Sequence, residues 1–283
     1  MQKQAPKVSV LTPIHNTNPM HLREMVESIL NQTFTDFEFL ILNDSPDNTE
    51  IEEIVFEYAK DDKRIKYFKN DKNMGITPSR NKLLKMATGE YLAIFDHDDI
   101  SVPERLEKEV AYLDTHPNIG VVSGWLQYFG ECNKIQKNPK EDLEIRICLT
   151  GNCSIAHTAA MMRKSLLVDN GIEYEEFYTP AEDYRLWTRL MDVTHFYNFQ
   201  EVFVKYRWTG DNTSCAQNDR REYARRAIYL DVRDKHPWLY DEFKKMSPDT
   251  IFRLRMFRIP LLKIKNNKIY LFECIPLFKI LWK

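Results

Sequence analysis

The sequence changes abruptly from apolar to acidic within residues 91–99, YLAIFDHDD. The first five residues are all apolar, which predicts a short, fully buried strand. Asp96 and Asp98 follow it, one residue apart, and their carboxylate oxygens are hard ligands that suit Mg²⁺ or Mn²⁺. A solvated turn before the next helix explains the same residues, so this stretch alone leaves both interpretations open.

Strands and helices alternate on both sides of this stretch. Apolar runs predict strands at 8–12, 37–42, 65–69 and around 121–122. Helical spacing or capping signals predict helices at 20–31, 49–60, 77–88 and 103–116. Alternation of this kind indicates βαβ units, so we predict an α/β fold with a mostly parallel central sheet. Pro13 lacks an N–H and is expected to end the first strand.

Polar clusters follow three of the predicted strands, at residues 13–16, 43–47 and 96–99. Ligands bind outside the carboxyl ends of strands in open α/β sheets, so we expect the three clusters to form one site. Asp44, in the second cluster, offers a carboxylate that can accept the N3–H of a pyrimidine. An Asx turn is the alternative explanation of that cluster.

Two further segments carry candidate functional groups. Residues 73–75 form a glycine turn before a helix with Arg80 in its first turn, and backbone N–H groups with a guanidinium suit a diphosphate. Glu182 and Asp183 begin a predicted helix at about 182–191. One of them can act as a general base, although acids at a helix start also favour the helix dipole. The stretch 124–156 reads as loop-rich, with strands near 158–162 and 195–207.

Composition excludes several classes of protein. The 283 residues are 43% hydrophobic and 12% aromatic, which is enough for a sizeable core and excludes global disorder. Only 8 glycines occur, without a Gly-X-Y period, so the chain is not fibrous. We expect no transmembrane helix, since no long uncharged apolar run exists, and no secretion, since the first residues are polar. Five cysteines without a C-x-x-C pair indicate a reducing compartment and no zinc site.

Charge is unevenly distributed along the chain. Residues 251–283 contain eight basic residues and one acid, a net charge of +7, so the rest of a chain of net charge −2 carries −9. Lysines interleaved with apolar residues suit a segment lying on an anionic bilayer. A helix packed against the acidic body is the alternative. No recognition motif supports nucleic acid as the partner of this tail, and we expect none.

Taken in order, these motifs resemble glycosyltransferase family 2, a family of inverting sugar transferases with the GT-A fold. The resemblance extends from residue 8 to about 214, and the full ordered series is far more specific than any one motif. The matching segments are 8–16, 28–33, 37–38, 43–45, 73–75, 80–81, 89–91, 95–99, 157–158, 181–184, 187, 189–190 and 206–207.

The resemblance implies a role for each matched residue. The implied nucleotide-binding residues are Pro13, His15, Asn16, Asp44, Asn73, Gly75, Arg80, Asp96 and His97. Among them, Asp44 would bind the uracil of a UDP-sugar, and Arg80 would lie near the diphosphate. Asp98, with Asp96, would hold Mn²⁺ or Mg²⁺. Asp183 would be the catalytic base that deprotonates the acceptor hydroxyl.

Three positions depart from the family pattern. His15 stands where tyrosine is usual, and Asn43 stands where the first of two aspartates is usual. Thr209 replaces a histidine that often contacts the metal or the diphosphate, which leaves that ligand unassigned. The remaining candidates for that ligand are His157 and His195. The Gln-x-x-Arg-Trp signature of processive synthases is absent, which favours the addition of a single sugar.

The resemblance therefore implies a metal-dependent inverting transferase that moves a hexosyl or N-acetylhexosaminyl group from a UDP-sugar. The acceptor would be a glycan or lipid-linked glycan of lipopolysaccharide, capsule or another surface polysaccharide. The catalytic domain would span residues 1–218, followed by a C-terminal extension, 219–283, that is helical and carries the basic amphipathic tail. Through residues 251–283 the enzyme would contact an anionic membrane, as a peripheral protein on the inner face of the cytoplasmic membrane.

Two other functions remain as alternatives. A nucleotidyltransferase also uses a carboxylate-bound metal on an α/β sheet, but it usually has a glycine-rich, basic loop after the first strand, and residues 12–16 contain neither feature. A catalytically inactive module that binds a sugar nucleotide is the second alternative. The presence of both Asp98 and Asp183 argues against it.

Overall fold

The computed structural model describes residues 5–209, 218–246, 252–256, 259–265, 268–271 and 275–279. The chain divides into two compact units, Met1–Lys235 and His236–Lys283. The strands of the first unit are β1 (Val8–Ile14), β2 (Phe37–Asn43), β3 (Ile65–Lys69), β4 (Tyr91–Ile94), β5 (Ile100–Ser101), β6 (Ile119–Gly130), β7 (Ile135–Gln136), β8 (Met161–Arg163) and β9 (His195–Trp208). Its α-helices are α1 (Pro19–Leu30), α2 (Thr49–Asp61), α3 (Ile76–Met86), α4 (Arg105–Thr115), α5 (Asp142–Leu149), α6 (Lys164–Asn170), α7 (Glu182–Leu190) and α8 (Asn218–Lys235).

The nine strands form one sheet in the spatial order β3-β2-β1-β4-β8-β6-β9-β5, with β7 paired to β6. Strands β1 to β4, β6 and β9 point the same way, whereas β5, β7 and β8 run opposite to them. Every residue of β1, β2 and β4 is buried, which is why these strands read as continuous apolar runs. The carboxyl ends of β1, β2 and β4 therefore meet at one edge of the sheet.

Strand β1 continues one residue past Pro13, which the sequence predicted to end it. Leu11 O accepts from Phe95 N on the β4 side, and Ile14 O accepts from Asp44 N on the β2 side. Alternation along the strand places Pro13 on the β4 side, where the β1–β4 ladder has already ended at Leu11. The missing N–H of Pro13 thus removes no ladder hydrogen bond.

The stretch 124–156 is more ordered than its sequence suggested. Strand β6 runs through to Gly130 and pairs with β9 along most of its length, and β7 and α5 follow. Gly130 has a φ of 93°, and a Cβ there would lie 2.6 Å from the carbonyl oxygen of Trp208. The strand predicted near 158–162 is a 3₁₀ turn, His157–Ala159, followed by β8.

Helix α8 belongs with the first unit, one helix beyond the predicted boundary at 218/219. Ala224, Ile228 and Val232 are buried along one of its faces. Arg185 of α7 also pairs with Asp231 of α8, Nη1 to Oδ2, at 2.6 Å. These long-range contacts leave no sign in the local pattern from which the boundary was predicted.

The second unit contains one helix followed by strands. Helix α9 spans Pro237–Met246, and β10 (Phe252–Met256), β11 (Ile259–Lys265), β12 (Lys268–Leu271) and β13 (Ile275–Lys279) form an antiparallel sheet. Strands therefore occupy most of the basic tail, where a helical extension was predicted. No helix in the described ranges is both long and apolar enough to cross a bilayer.

Candidate active site

The three polar clusters meet at the carboxyl edge of the sheet, as the sequence predicted. The Ser45 hydroxyl, after β2, lies 2.6 Å from Nδ1 of His15, after β1. The Thr17 hydroxyl lies 3.0 Å from Nδ1 of His97, after β4. Hydrogen bonds therefore join the loop after β1 to each of the other two.

Asp44 organises the turn before α3. Its Oδ1 accepts hydrogen bonds from Asn70 Nδ2 at 2.7 Å and Met74 N at 2.8 Å, and its Oδ2 accepts one from Gly75 N at 2.8 Å. Gly75 has a φ of 88°, a conformation that favours glycine. Since each carboxylate oxygen has two lone pairs, Oδ2 retains one acceptor direction for a ligand.

Exposed polar groups surround Asp44. His15 and Asn16 are exposed, and Asn16 has a φ of 44° that turns the chain away from β1. Asn16 N donates to Ser45 Oγ at 2.9 Å, and Asn73 Nδ2 lies 3.5 Å from His15 Nε2. Pro13 differs from the other predicted residues of this loop because it is buried within β1.

A buried arginine on β9, Arg207, holds the acidic loop that follows β4. This contact was not predicted from the sequence. Arg207 N donates to Asp99 Oδ1 at 2.9 Å, and Arg207 Nε donates to the Asp98 carbonyl at 2.8 Å. Asp99 is fully buried, and burial together with the charges of Asp98 and Asp96 raises its pKa well above the usual value. The adjacent third aspartate and the Tyr206-Arg207 motif were the available signals for this contact.

Asp98 is the acid of this loop that remains available to a ligand. It is half-buried, and within the described part of the chain no cationic side chain lies at ion-pair distance from its carboxylate. Burial and the Asp96 carboxylate raise the pKa of Asp98, while His97 and His21 oppose that rise. A cation at this position would offset the excess of negative charge.

Arg80 connects the acidic loop to the acidic pair of α7. Its Nη2 lies 3.1 Å from Asp96 Oδ1, and its Nη1 lies 2.5 Å from Glu182 Oε1. Burial opposes ionisation of Asp96, but the charge and hydrogen bond of Arg80, together with His157 and His97, lower its pKa. The structure thus joins the predicted donor-binding residues to the predicted base region.

The two adjacent acids at the start of α7 have different environments. Glu182 is buried and paired with Arg80. Asp183 is half-buried, and its Oδ1 accepts from Tyr184 N at 2.7 Å. Burial raises the pKa of Asp183, and the Arg80 charge opposes that rise. Asp183 is therefore the member of the pair that can meet an acceptor.

Neither alternative histidine is arranged as a metal ligand. His157 is buried with Nε2 2.8 Å from the Tyr174 hydroxyl, and burial lowers its pKa to about 3. His195 begins β9 and pairs with Asp142, Nδ1 to Oδ2, at 2.8 Å. Because β9 runs in the direction of β4, His195 lies at the opposite edge of the sheet from Asp98. Thr209 directly follows β9 at the carboxyl edge.

The donor set fits a divalent cation that is completed by a ligand's phosphates. Among the described residues, no group of three or more His, Cys, Asp or Glu side chains is placed to hold a metal ion. Asp98 supplies one free carboxylate, with Asp96 beside it. Mg²⁺ and similar hard cations are often held by one or two carboxylates plus substrate phosphates, so these residues fit such an ion.

The family model of glycosyl transferase family 2 matches residues 9–171. The chain belongs to glycosyltransferase family 2. It is 36% identical over 209 residues to an uncharacterized glycosyltransferase of Methanocaldococcus jannaschii, covering 71% of each protein. It is 27% identical over 207 residues to the amylovoran biosynthesis glycosyltransferase AmsE of Erwinia amylovora, covering 72% of this chain and 77% of AmsE.

A solved structure shares the fold of this family 2 glycosyltransferase. S. aureus TarS residues 1–349 in complex with UDP-GlcNAc superimposes with a TM-score of 0.68 at 21% identity. The match covers 84% of this chain and 71% of that chain. The predicted α/β GT-A fold with a mostly parallel sheet is confirmed.

Proposed function

We propose that this family 2 enzyme transfers a hexosyl or N-acetylhexosaminyl group from a UDP-sugar to a glycan acceptor, with inversion at the anomeric carbon. The observation that carries the proposal is the placement of Arg80 between Asp96 and Glu182. That placement brings the acidic loop, suited to a metal-bound diphosphate, beside the acidic pair that contains Asp183. The likeness to TarS, whose structure contains UDP-GlcNAc, supports the choice of a UDP-sugar.

The nucleotide would lie against the loops after β1 and β2. The remaining acceptor direction of Asp44 Oδ2 would receive the uracil N3–H, since the other directions are used by Asn70, Met74 and Gly75. The further groups that we assign to the nucleotide are His15, Asn16, Asn73 and His97. Pro13 would act only through the backbone, because its ring is buried.

Asp98, with Asp96 beside it, would hold Mn²⁺ or Mg²⁺. When bound, the cation stabilises the negative charge that develops on the diphosphate leaving group. Asp96 is itself held by Arg80 and by its backbone N–H, which donates to Thr158 Oγ1 at 3.1 Å. These contacts fix the loop that presents the Asp98 carboxylate.

Asp183 would take the proton from the acceptor hydroxyl as its oxygen attacks the anomeric carbon. The new carbon–oxygen bond forms on the face opposite the departing UDP, so one displacement inverts the configuration. The half-buried carboxylate suits this role, because its Oδ1 is oriented by Tyr184 N and the side chain still reaches solvent. Glu182 is less suitable because Arg80 neutralises it in a buried position.

We further propose that the acceptor is a glycan or lipid-linked glycan of lipopolysaccharide, capsule or another surface polysaccharide. The name of AmsE, an amylovoran biosynthesis glycosyltransferase, supports a polysaccharide product. The +7 charge of residues 251–283 supports peripheral contact with the anionic inner face of the cytoplasmic membrane. A lipid-linked acceptor would place the reaction at that surface.

A donor screen tests the proposal. The purified full chain is incubated with Mn²⁺ and a panel of UDP-, GDP- and CMP-sugars, and release of the nucleoside phosphate is followed with and without EDTA. We expect metal-dependent release of UDP from one donor and its loss in Asp98→Asn. Release of pyrophosphate from a nucleoside triphosphate and a sugar phosphate would indicate the nucleotidyltransferase instead.

Thermal stability in the presence of UDP and Mn²⁺ separates the remaining outcomes. Stabilisation by both together, without transfer or hydrolysis of any donor, would indicate the inactive sugar-nucleotide-binding module. No stabilisation and no release across the panel would show that Asp44, Asp96 and Asp98 do not form a UDP-sugar site.

A further inference from the structure

Arg80 is enclosed between carboxylates that belong to distant parts of the chain. It donates through Nη2 to Asp96 after β4 and through Nη1 to Glu182 at the start of α7. Its side chain is 12% exposed, and that of Glu182 is 6% exposed. The guanidinium thereby supplies a cation to two carboxylates in a largely buried environment, while Glu182 Oε2 has no hydrogen-bond partner among the described residues.

The remaining contacts of Arg80 also face inward. Its Nε is buried without a hydrogen-bond partner among the described residues, and its guanidinium carbon lies 5.7 Å from the centre of the Tyr174 ring. The carboxylates use two of the five guanidinium N–H groups, and with 12% of the side chain exposed the others offer a diphosphate little access unless Arg80 moves away from Asp96 or Glu182. Breaking a buried ion pair by removing one partner is strongly unfavourable.

We propose that Arg80 is a positioning residue that holds Asp96 and Glu182 on one guanidinium, fixing the start of α7 beside the donor site, and that it is not a ligand of the diphosphate. The catalytic consequence rests on the proposed transfer reaction. The clamp itself, defined as Asp96, Arg80 and Glu182, is a property of the fold and is measurable without substrate.

The clamp also sets the charge around Asp183. The groups that act on its carboxylate are Arg80 from α3, Asp96 after β4 and Arg221 from α8, together with the adjacent Glu182. Cys153 and Tyr174 face the same region, and the pKa of each is raised by burial, so both are neutral there. Arg80 is the cation that most opposes the effect of burial on the pKa of Asp183.

Substitution of Arg80 distinguishes a positioning residue from a ligand of the diphosphate. In Arg80→Gln we expect calorimetry without metal to show unchanged affinity for UDP, because no contact with the diphosphate is lost. Turnover of the donor found in the screen should fall at least about tenfold at neutral pH. The acid limb of its pH–rate profile should move to higher pH, because the pKa of Asp183 rises when its main neighbouring cation is removed. Arg80→Lys keeps the charge, so the limb should return toward that of the wild type, although one amine cannot bridge both acids.

A matched control is available on α7. Arg185 also joins two carboxylates, Glu175 at 3.1 Å and Asp231 at 2.6 Å, and its side chain is 10% exposed. Arg185→Gln should lower Tm without moving the acid limb. Weakened UDP binding in Arg80→Gln with an unmoved acid limb would show that Arg80 is a diphosphate ligand and would overturn the proposal.

A double-mutant cycle tests the clamp without any substrate. The Tm losses of Arg80→Gln and Glu182→Gln should be strongly non-additive, because each removes the same ion pair. Additive losses would overturn the clamp. If Arg80→Gln does not fold, Arg80→Lys with Glu182→Gln completes the cycle. Non-additive Tm losses would support the clamp even if the wild-type protein neither binds UDP nor turns over any donor. That combination of results would refute the proposed function alone.

Discussion

At the scale of single residues, the two acids that begin α7 show how neighbours in sequence come to lie in different environments. Glu182 points into the protein and its charge is offset by Arg80, whereas Asp183 remains half-buried beside the site. Both have raised pKa values, with burial as the largest cause. The raised pKa of Asp183 brings a carboxylate nearer to the basicity that suits proton transfer.

Replacement of Asp183 by Asn should therefore reduce turnover about 10²–10⁴-fold, the usual contribution of a general base. UDP affinity should be unchanged, because the nucleotide-side residues are untouched. The wild-type acid limb should lie above the usual aspartate range, with activity present above the raised pKa and lost as pH falls through it. Steady-state kinetics across pH and UDP calorimetry measure these quantities.

Asp169→Asn is the matched control for this substitution. Asp169 is exposed on α6, so its replacement removes one negative charge, as Asp183→Asn does, but away from the site. Normal turnover in Asp183→Asn, or equal losses in both variants, would show that Asp183 is not the base.

At the scale of elements, the turn that precedes α3 depends on the side chain of Asp44, the residue that follows β2. Three N–H groups donate to the Asp44 carboxylate, two of them from the backbone of Met74 and Gly75. Asp44 is 3% exposed, so water cannot readily replace it. The Asx-turn explanation and the ligand explanation of this cluster are thus compatible, since one carboxylate oxygen retains a free acceptor direction.

Asp44→Ala should lower the free energy of unfolding by about 1–3 kcal/mol, because the buried bond to Asn70 and the partly buried bonds to Met74 and Gly75 are lost together. Urea denaturation measures the loss. Asp47→Ala, in the same loop but exposed, should change the free energy of unfolding little. A loss of UDP affinity without loss of stability would mean that Asp44 serves only the ligand.

Helix α4 carries a fully buried arginine–glutamate contact that supports the acidic loop. Arg105 donates to Glu109 at 3.2 Å, and also to the carbonyls of Thr158 and Ile94 at 2.9 Å each. These bonds tie the end of β4 to the 3₁₀ turn. Burial raises the pKa of Glu109 from 4.5 to about 8, although Arg105 opposes the rise.

This raised pKa predicts a pH-dependent stability. Its contribution should be fully present below pH 4.5 and be lost as pH rises through about 8, because the folded state prefers the protonated acid. Glu109→Gln should remove that decline in the free energy of unfolding. Urea titrations at several pH values test it, with exposed Glu107→Gln on the same helix as the control. An identical decline in Glu109→Gln would contradict the assignment.

At the scale of the whole molecule, the C-terminal tail and the rest of the chain carry opposite net charges. The 250 residues before the tail carry a net charge of −9, and residues 251–283 carry +7. Like-charged anionic lipids would repel the former and attract the latter. This asymmetry supports membrane contact through the tail.

Neutralising the tail should release the enzyme from anionic membranes. Each lysine near such a surface is worth about 1 kcal/mol, so four Lys→Gln changes should weaken binding about 10²–10³-fold. The four tail lysines to be changed are Lys263, Lys265, Lys268 and Lys279. Cosedimentation with phosphatidylglycerol vesicles measures the effect, with phosphatidylcholine vesicles for comparison.

The control for this experiment makes the same change of charge on the first unit. The four lysines changed to Gln in the control are exposed residues of that unit, namely Lys60, Lys63, Lys72 and Lys85. That variant should bind anionic vesicles as the wild type does. Equal binding by all three proteins, or no binding by the wild type, would refute membrane contact through the tail.

The alternation of strands and helices, and the three polar clusters at strand ends, were predictable from sequence because they depend on local periodicity and on the geometry of parallel sheets. The pairing of Arg80 with Glu182 was not, because the two lie 102 residues apart and the local motif around Arg80 also suits a diphosphate. The contact of Arg207 with Asp99 spans 108 residues, and the position of His195 depends on the direction of β9. Such pairings arise only when the sheet assembles, since hydrogen bonds and ion pairs between distant residues leave no periodic trace in the chain.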